Sequence, residues 1–222
     1  MADASEIYTP PEEILKNTGP SMVADLFRLY LMQKTDEIWV DTDMVAIKPM
    51  TLTGNGFAVG YEAPNKSICN AVLRTPRDSA SIQQLIHYVE NPHNDPQWLR
   101  PVLRARLADA PKRKLLTRLY KIKRSSMGPL AVGHALRDTG EVSEVRAREA
   151  YYSVPWQFCD VLFNPYGGTE GWMSEETEAV HLWAHALSNY HKVHRPHPES
   201  FVGKAQQELK IDVSHLKRQQ LI

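Results

Sequence analysis

From Met22 to Met32 apolar side chains recur at helical spacing (Met22, Val23, Leu26, Phe27, Leu29, Tyr30 to Met32), and Ser21 stands where an N-cap belongs. The spacing predicts an amphipathic helix. Residues 1–20 ahead of it are polar, carry Pro10-Pro11 and Gly19-Pro20, and read as an irregular lead-in without core. After the helix, Ile38-Trp39-Val40 is a short β-favouring run suited to a buried strand, and Asp41-Thr42-Asp43 falls where that strand meets its loop. Met44–Ile47 continues as a short strand ended by Pro49, Gly54-Asn55-Gly56 marks a turn, and Phe57–Tyr61 and Cys69–Leu73 read as strands around the turn Pro64-Asn65-Lys66. The pattern then turns helical over Ser79–Val89, Gln97–Leu107 and Lys112–Ile122, and Gly128-Pro129 opens a further helix through Leu136. Tyr151–Val154 reads as a strand closed by Pro155-Trp156, and Gly167-Gly168 as a loop. Ser174 followed by Glu175, Glu176 and Glu178 has the form of a helix start leading into Ala179–Leu187. Strands mixed with helices predict an α/β protein.

Composition narrows the class. At 222 residues and 25.3 kDa the chain is long enough for one domain with a sizeable core. Its formal net charge of +0 gives no global field that points to nucleic acid. Cys69 and Cys159 are the two cysteines, too few for a disulfide framework. No apolar run reaches the roughly 18 residues of a membrane span, so a soluble, cytoplasmic protein is expected. The charge is unevenly spread: Arg100 to Arg124 holds ten Lys and Arg with Asp109 as its one acid. That segment is either a solvated helical face or a surface for phosphates, an anionic membrane or a polyanionic glycan. No recognition module accompanies it, so nucleic acid is not expected as a partner.

The candidate chemistry lies in the acids. Two carboxylates one residue apart leave an extended strand on the same side, and a hard cation such as Mn2+ or Mg2+ completes its shell with such oxygens and those of a substrate diphosphate. An acidic turn is the plainer alternative for Asp41 and Asp43. Asp25 and Arg28 share one helix face, as a surface ion pair or as site residues. Asn70 can read a sugar hydroxyl or satisfy a turn, and Glu62 is a further strand-end carboxylate for acceptor contact. His181 and His185 lack the glutamate of a zinc-protease motif, which excludes that class. His191, His194 and His197 lie in a polar, Pro-containing segment expected to face solvent.

Taken in order, Ala24-Asp25-Leu26-Phe27-Arg28, Asp41-Thr42-Asp43, Gly60-Tyr61-Glu62, Asn70-Ala71-Val72-Leu73, Gly128-Pro129, Tyr152-Ser153-Val154-Pro155-Trp156, Ala179-Val180-His181-Leu182-Trp183 and Pro198-Glu199-Ser200-Phe201 form a set. This set resembles the glycosyltransferases with a DXD-containing sugar-binding region, the capsular-polysaccharide and α-1,4-galactosyltransferase-like group, over roughly residues 20 to 205. The resemblance implies a GT-A-like α/β fold with a mixed sheet flanked by helices, organised as a lead-in over 1–20, a transferase domain over 21–205 and a tail over 206–222. It implies Asp25, Arg28, Asp41 and Asn70 at the donor, Asp41, Asp43 and His181 at Mn2+ or Mg2+, and His181 close to the diphosphate. Two departures stand out. Asp36-Glu37 replaces the glycine pair that usually precedes the DXD strand, and the first nucleotide-binding strands of the family have no counterpart, so they are expected to be missing.

The expected activity is transfer of a sugar from a UDP-sugar to a saccharide or lipid-linked acceptor with retention of configuration, in polysaccharide or glycolipid synthesis; no nucleophile can be named. Peripheral membrane contact is one option for the acceptor side. The rivals are a degenerate carbohydrate-binding remnant without catalysis and a haloacid-dehalogenase-like phosphatase, with Asp41 as nucleophile. The second lacks the downstream acid pair that such a fold needs.

Overall fold

The computed structural model describes residues 3–63, 66–166, 168–187, 194–211 and 220–221. In chain order the elements are α1 (Ala4–Ile7), α2 (Glu12–Asn17), α3 (Pro20–Lys34), β1 (Trp39–Val40), β2 (Met44–Ala46), β3 (Ala58–Ala63), β4 (Ser67–Arg74), α4 (Ala80–Glu90), α5 (Pro101–Arg104), α6 (Leu115–Ile122), α7 (Ala131–Asp138), β5 (Ala179–His181), β6 (His194–Arg195), α8 (Phe201–Glu208) and β7 (Gln220–Leu221). The protein is mixed α/β with small sheets. The chain divides into two compact units, residues 1–40 with 51–147, and residues 41–50 with 148–222.

Unit 1 is built on α3 and a three-stranded antiparallel sheet of order β1-β4-β3. Pro20 occupies the first turn of α3, where its missing N–H costs nothing, so the helix starts just before the predicted Met22 and runs to Lys34. Met22, Leu26, Leu29 and Met32 form its inward stripe, each fully buried and each worth about 1.5–3 kcal/mol of apolar burial. They meet Val59, Ile68 and Leu73 of the sheet and Ile82, Leu85 and Ile86 of α4 in one core.

Three expectations change in this unit. The lead-in is not irregular: it forms α1 and α2, and Ile14 of α2 enters the core. The run Ile38–Val40 is not a buried central strand, because β1 is two residues long at the sheet edge and Val40 is exposed. Gln97–Leu107 shortens to α5 and a following 3-10 turn, since Pro101 can only begin a helix there.

The N-terminus of α4 is closed from a distant segment. Ser79, the N-cap residue, does not cap with its own hydroxyl; Glu141 accepts from Ser79 Oγ at 2.8 Å and from the N–H groups of Ala80 at 2.8 Å and Ser81 at 3.0 Å. A carboxylate there also suits the positive end of the helix. Partial burial pushes the Glu141 carboxyl up, but the bonds from Ser81, Ser79 and Ala80 outweigh it and hold the pKa below its ordinary 4.5. A depressed folded value means that this stabilisation is complete above 4.5 and is lost as pH falls through the folded value. Glu141→Ala is expected to lower stability by about 1 kcal/mol at pH 7 in urea unfolding, with the difference shrinking as pH falls below 4.5.

Unit 2 carries a second small sheet in which β2 and β5 run antiparallel, with Met44 opposite His181 and Ala46 opposite Ala179. Tyr152 bridges to Val180 beside it. Ala179–Leu187 is therefore not a helix: all three residues of β5 are buried, and pairing with β2 decides the conformation. Val154, Cys159, Leu162, Phe163, Val180, Leu187 and Val202 form the core of this unit. β6 and β7 pair in parallel, and α8 crosses the 205/206 boundary expected from the sequence. Within the described residues no helix is long and apolar enough to cross a membrane.

Candidate functional site

The polar residues singled out in the sequence form two clusters, one in each unit. In unit 1, Asp25 and Arg28 lie one helical turn apart on α3, and each is 5% exposed. Arg28 Nη2 is 3.5 Å from Asp25 Oδ1, and Arg28 Nη1 donates to the backbone carbonyl of Asn70 at 2.6 Å. Asn70 Nδ2 donates to Asp25 Oδ1 at 3.5 Å. The guanidinium lies 4.8 Å from the centre of the Trp39 ring, an attraction of cation to ring face. Gly128 roofs the carboxylate so closely that a Cβ there would stand 2.5 Å from Asp25 Oδ1. The alternative of a surface ion pair is thus excluded. Asp25, Arg28 and Asn70 direct these hydrogen bonds to one another, which makes the group a buried polar staple joining α3 to β4.

The pair that replaces the expected glycines has a role in the same unit. Asp36 Oδ1 binds Arg74 Nη2 at 2.9 Å and Oδ2 binds Arg77, so the turn before β1 is fixed to the end of β4 by charge rather than by glycine flexibility. Glu62 lies half-buried in β3.

In unit 2, Asp41-Thr42-Asp43 is a turn and not the end of an extended strand: the Met44 N–H donates to the Asp41 carbonyl at 3.1 Å. The two carboxylates therefore do not leave an extended strand on one side, and β2, which follows the turn, pairs antiparallel with β5. Asp43, just before β2, meets His181, the last residue of β5 and the partner of Met44. His181 Nε2 is 3.2 Å from Asp43 Oδ2, and the Ala184 N–H donates to the same oxygen at 3.0 Å. Burial pushes the Asp43 carboxyl up, but the hydrogen bond and charge of His181 and the Ala184 N–H hold it below its ordinary value.

The histidine is held in an aromatic box. Its ring centre is 4.0 Å from that of Trp183 and 5.8 Å from that of Tyr152. Trp183 sits at φ 54, a left-handed backbone that a bulky residue adopts only when its surroundings impose it, and such strain concentrates at functional sites. Its indole N–H donates to the Val154 carbonyl at 2.8 Å, which fixes it there. Nothing in the sequence marks that conformation; Trp183 and Tyr152 were visible only as members of apolar words.

His181 Nδ1 is buried and accepts no hydrogen bond within the described structure. The Asp43 carboxylate against Nε2 orients the ring. Direct ligation of a metal through Nε2 would compete with Asp43. No three His, Cys, Asp or Glu side chains among the described residues gather for a metal ion. Among the described residues the protein therefore offers no all-protein cage for a metal ion. His185 is exposed, His197 Nδ1 accepts from the Glu199 N–H at 3.1 Å, and His191 lies outside the described residues.

β2 also forms part of the wall of a cavity of about 400 Å³ in unit 2, lined by Val45, Ile47, Asn164, Thr169, Glu199 and Lys204 among others. Its size falls in the range of small-molecule sites, and Asp41, Asp43 and His181 are not among its lining residues. No family model, curated protein or solved structure matches this chain.

Proposed function

We propose that this protein is a metal-dependent glycosyltransferase of GT-A-like fold that takes a sugar from a UDP-sugar and passes it to a saccharide or lipid-linked acceptor. The observation that carries the proposal is the meeting of segments far apart in sequence: the Asp41-Thr42-Asp43 turn, the Tyr152–Trp156 segment and the Ala179–Trp183 segment join around Asp43 and His181. These are the same words on which the family resemblance rests.

Asp41 and Asp43 would hold Mn2+ or Mg2+, with diphosphate oxygens supplying the remaining ligands. Such an ion, when bound, neutralises the charge that builds on the departing UDP. Asp43 Oδ2 is engaged by His181 and the Ala184 N–H, which fix the carboxylate in place for the cation. His181 is then a positioning residue that acts through Asp43 and keeps its carboxylate ionised. Asp25, Arg28 and Asn70 are assigned to holding unit 1 together. No nucleophile is assigned.

The test is release of UDP from a panel of UDP-hexoses by the purified chain. Turnover with Mn2+ that stops on chelation supports the proposal; no turnover with any donor in the presence of metal and mixed saccharide acceptors sinks it.

A further inference from the structure

We infer that the surface of unit 1 formed by residues 100–124 is a docking face for an anionic lipid bilayer. Ten of the 26 Lys and Arg of a chain with net charge +0 fall in this segment. The fold turns its apolar residues inward and its cations outward: Leu107, Leu115 and Leu119 are buried, while Arg113, Lys114, Arg118, Lys121, Lys123 and Arg124 are exposed. Arg118 and Lys121 of α6, with its N-cap residue Lys114, recur at helical spacing and are exposed, while Leu115 and Leu119 face the core.

These cations do little for the fold. Arg104 pairs with Asp95 at 2.7 Å, but no ion pair among the described residues involves the six named above. Arg113 and Lys114 sit at the N-terminal end of α6, where the helix dipole disfavours positive charge. Like charges crowded on one short helix and its flanks repel one another, so an anionic partner relieves a strain that the free protein carries.

The form of the surface selects the partner. The cations are spread over a helix and its flanks rather than gathered into a cleft, and the shallow hollow nearby is lined by Arg104 and none of the six. That suits an extended charged plane better than a single phosphate. Two exposed apolar residues accompany them: Val102 is 67% exposed on α5, and Leu15 is 55% exposed on α2, which packs against α6. Basic residues interspersed with exposed apolar ones are the pattern of interfacial binding. The aromatic platform that single-stranded nucleic acid needs is missing from the segment, whose one aromatic residue, Tyr120, is half-buried. The inference does not depend on the transferase proposal.

The test is co-sedimentation of the full chain with vesicles of phosphatidylcholine alone or with about one-third phosphatidylserine. Binding is expected to the phosphatidylserine vesicles only and to fall steeply with salt. Lys114→Gln/Arg118→Gln/Lys121→Gln should weaken it about a hundred-fold, some five-fold per cation. The control Lys48→Gln/Lys66→Gln/Lys210→Gln removes the same charge elsewhere and should bind as the wild type does. All six positions are exposed, and unchanged circular dichroism and melting certify the fold. The inference is overturned if phosphatidylcholine vesicles bind equally, if the control loses as much as the α6 variant, or if the wild type binds soluble heparin and no vesicle.

Discussion

Arg28→Ala is expected to destabilise unit 1 by about 3–5 kcal/mol, read as the shift in a urea unfolding curve with unchanged slope. The cost does not come from the strength of the ion pair, which at 3.5 Å is ordinary. It comes from what is left behind. Asp25 is 5% exposed with Gly128 against its carboxylate, so water cannot replace the guanidinium without moving backbone. The carbonyl of Asn70 loses its donor at the same time, and Trp39 loses the cation over its ring. Because Asp25 and Arg28 share this environment, Asp25→Ala/Arg28→Ala should cost less than the sum of the single changes. A loss of under about 1 kcal/mol for Arg28→Ala, the size usual for exposed pairs, would contradict the buried staple.

Asp43→Asn is expected to lower metal-dependent UDP-hexose turnover by at least about a hundred-fold, the scale on which a preorganised electrostatic group acts. Folding should survive, because the Asp43 side chain is 25% exposed and Asn can still accept from the Ala184 N–H. His181→Ala should act through the same carboxylate: weaker metal dependence by about 10- to 100-fold, with partial recovery in His181→Gln, whose amide can still donate to Asp43. A purely structural His181 would instead change stability and leave the metal titration where it was.

The parts of this fold legible in the sequence are those fixed by local periodicity. The stripe from Met22 to Met32 defines α3, the apolar spacing of Ile82, Leu85 and Ile86 defines α4, and the turn at Gly54-Asn55-Gly56 separates strands as expected. What failed depended on distant partners. Ser174, Glu175 and Glu176 imitate a helix start, yet Ala179–His181 is a strand because β2 lies beside it. Ile14 joins the core only because α2 packs under α6. Helical spacing put Asp25 and Arg28 on one face, but nothing local revealed that Asn70 and Gly128 close over them. Likewise Asp43 and His181, 138 positions apart, were each chosen for their chemistry, while their direct contact follows from strand register.

The most direct measurement is calorimetric titration of UDP into the wild-type chain and into Asp43→Asn, each with and without Mn2+. UDP affinity is expected in the wild type only when the metal is present, and none in Asp43→Asn under either condition. UDP affinity that ignores the metal, equal affinity in the variant, or binding of glycans with no response to UDP would contradict it.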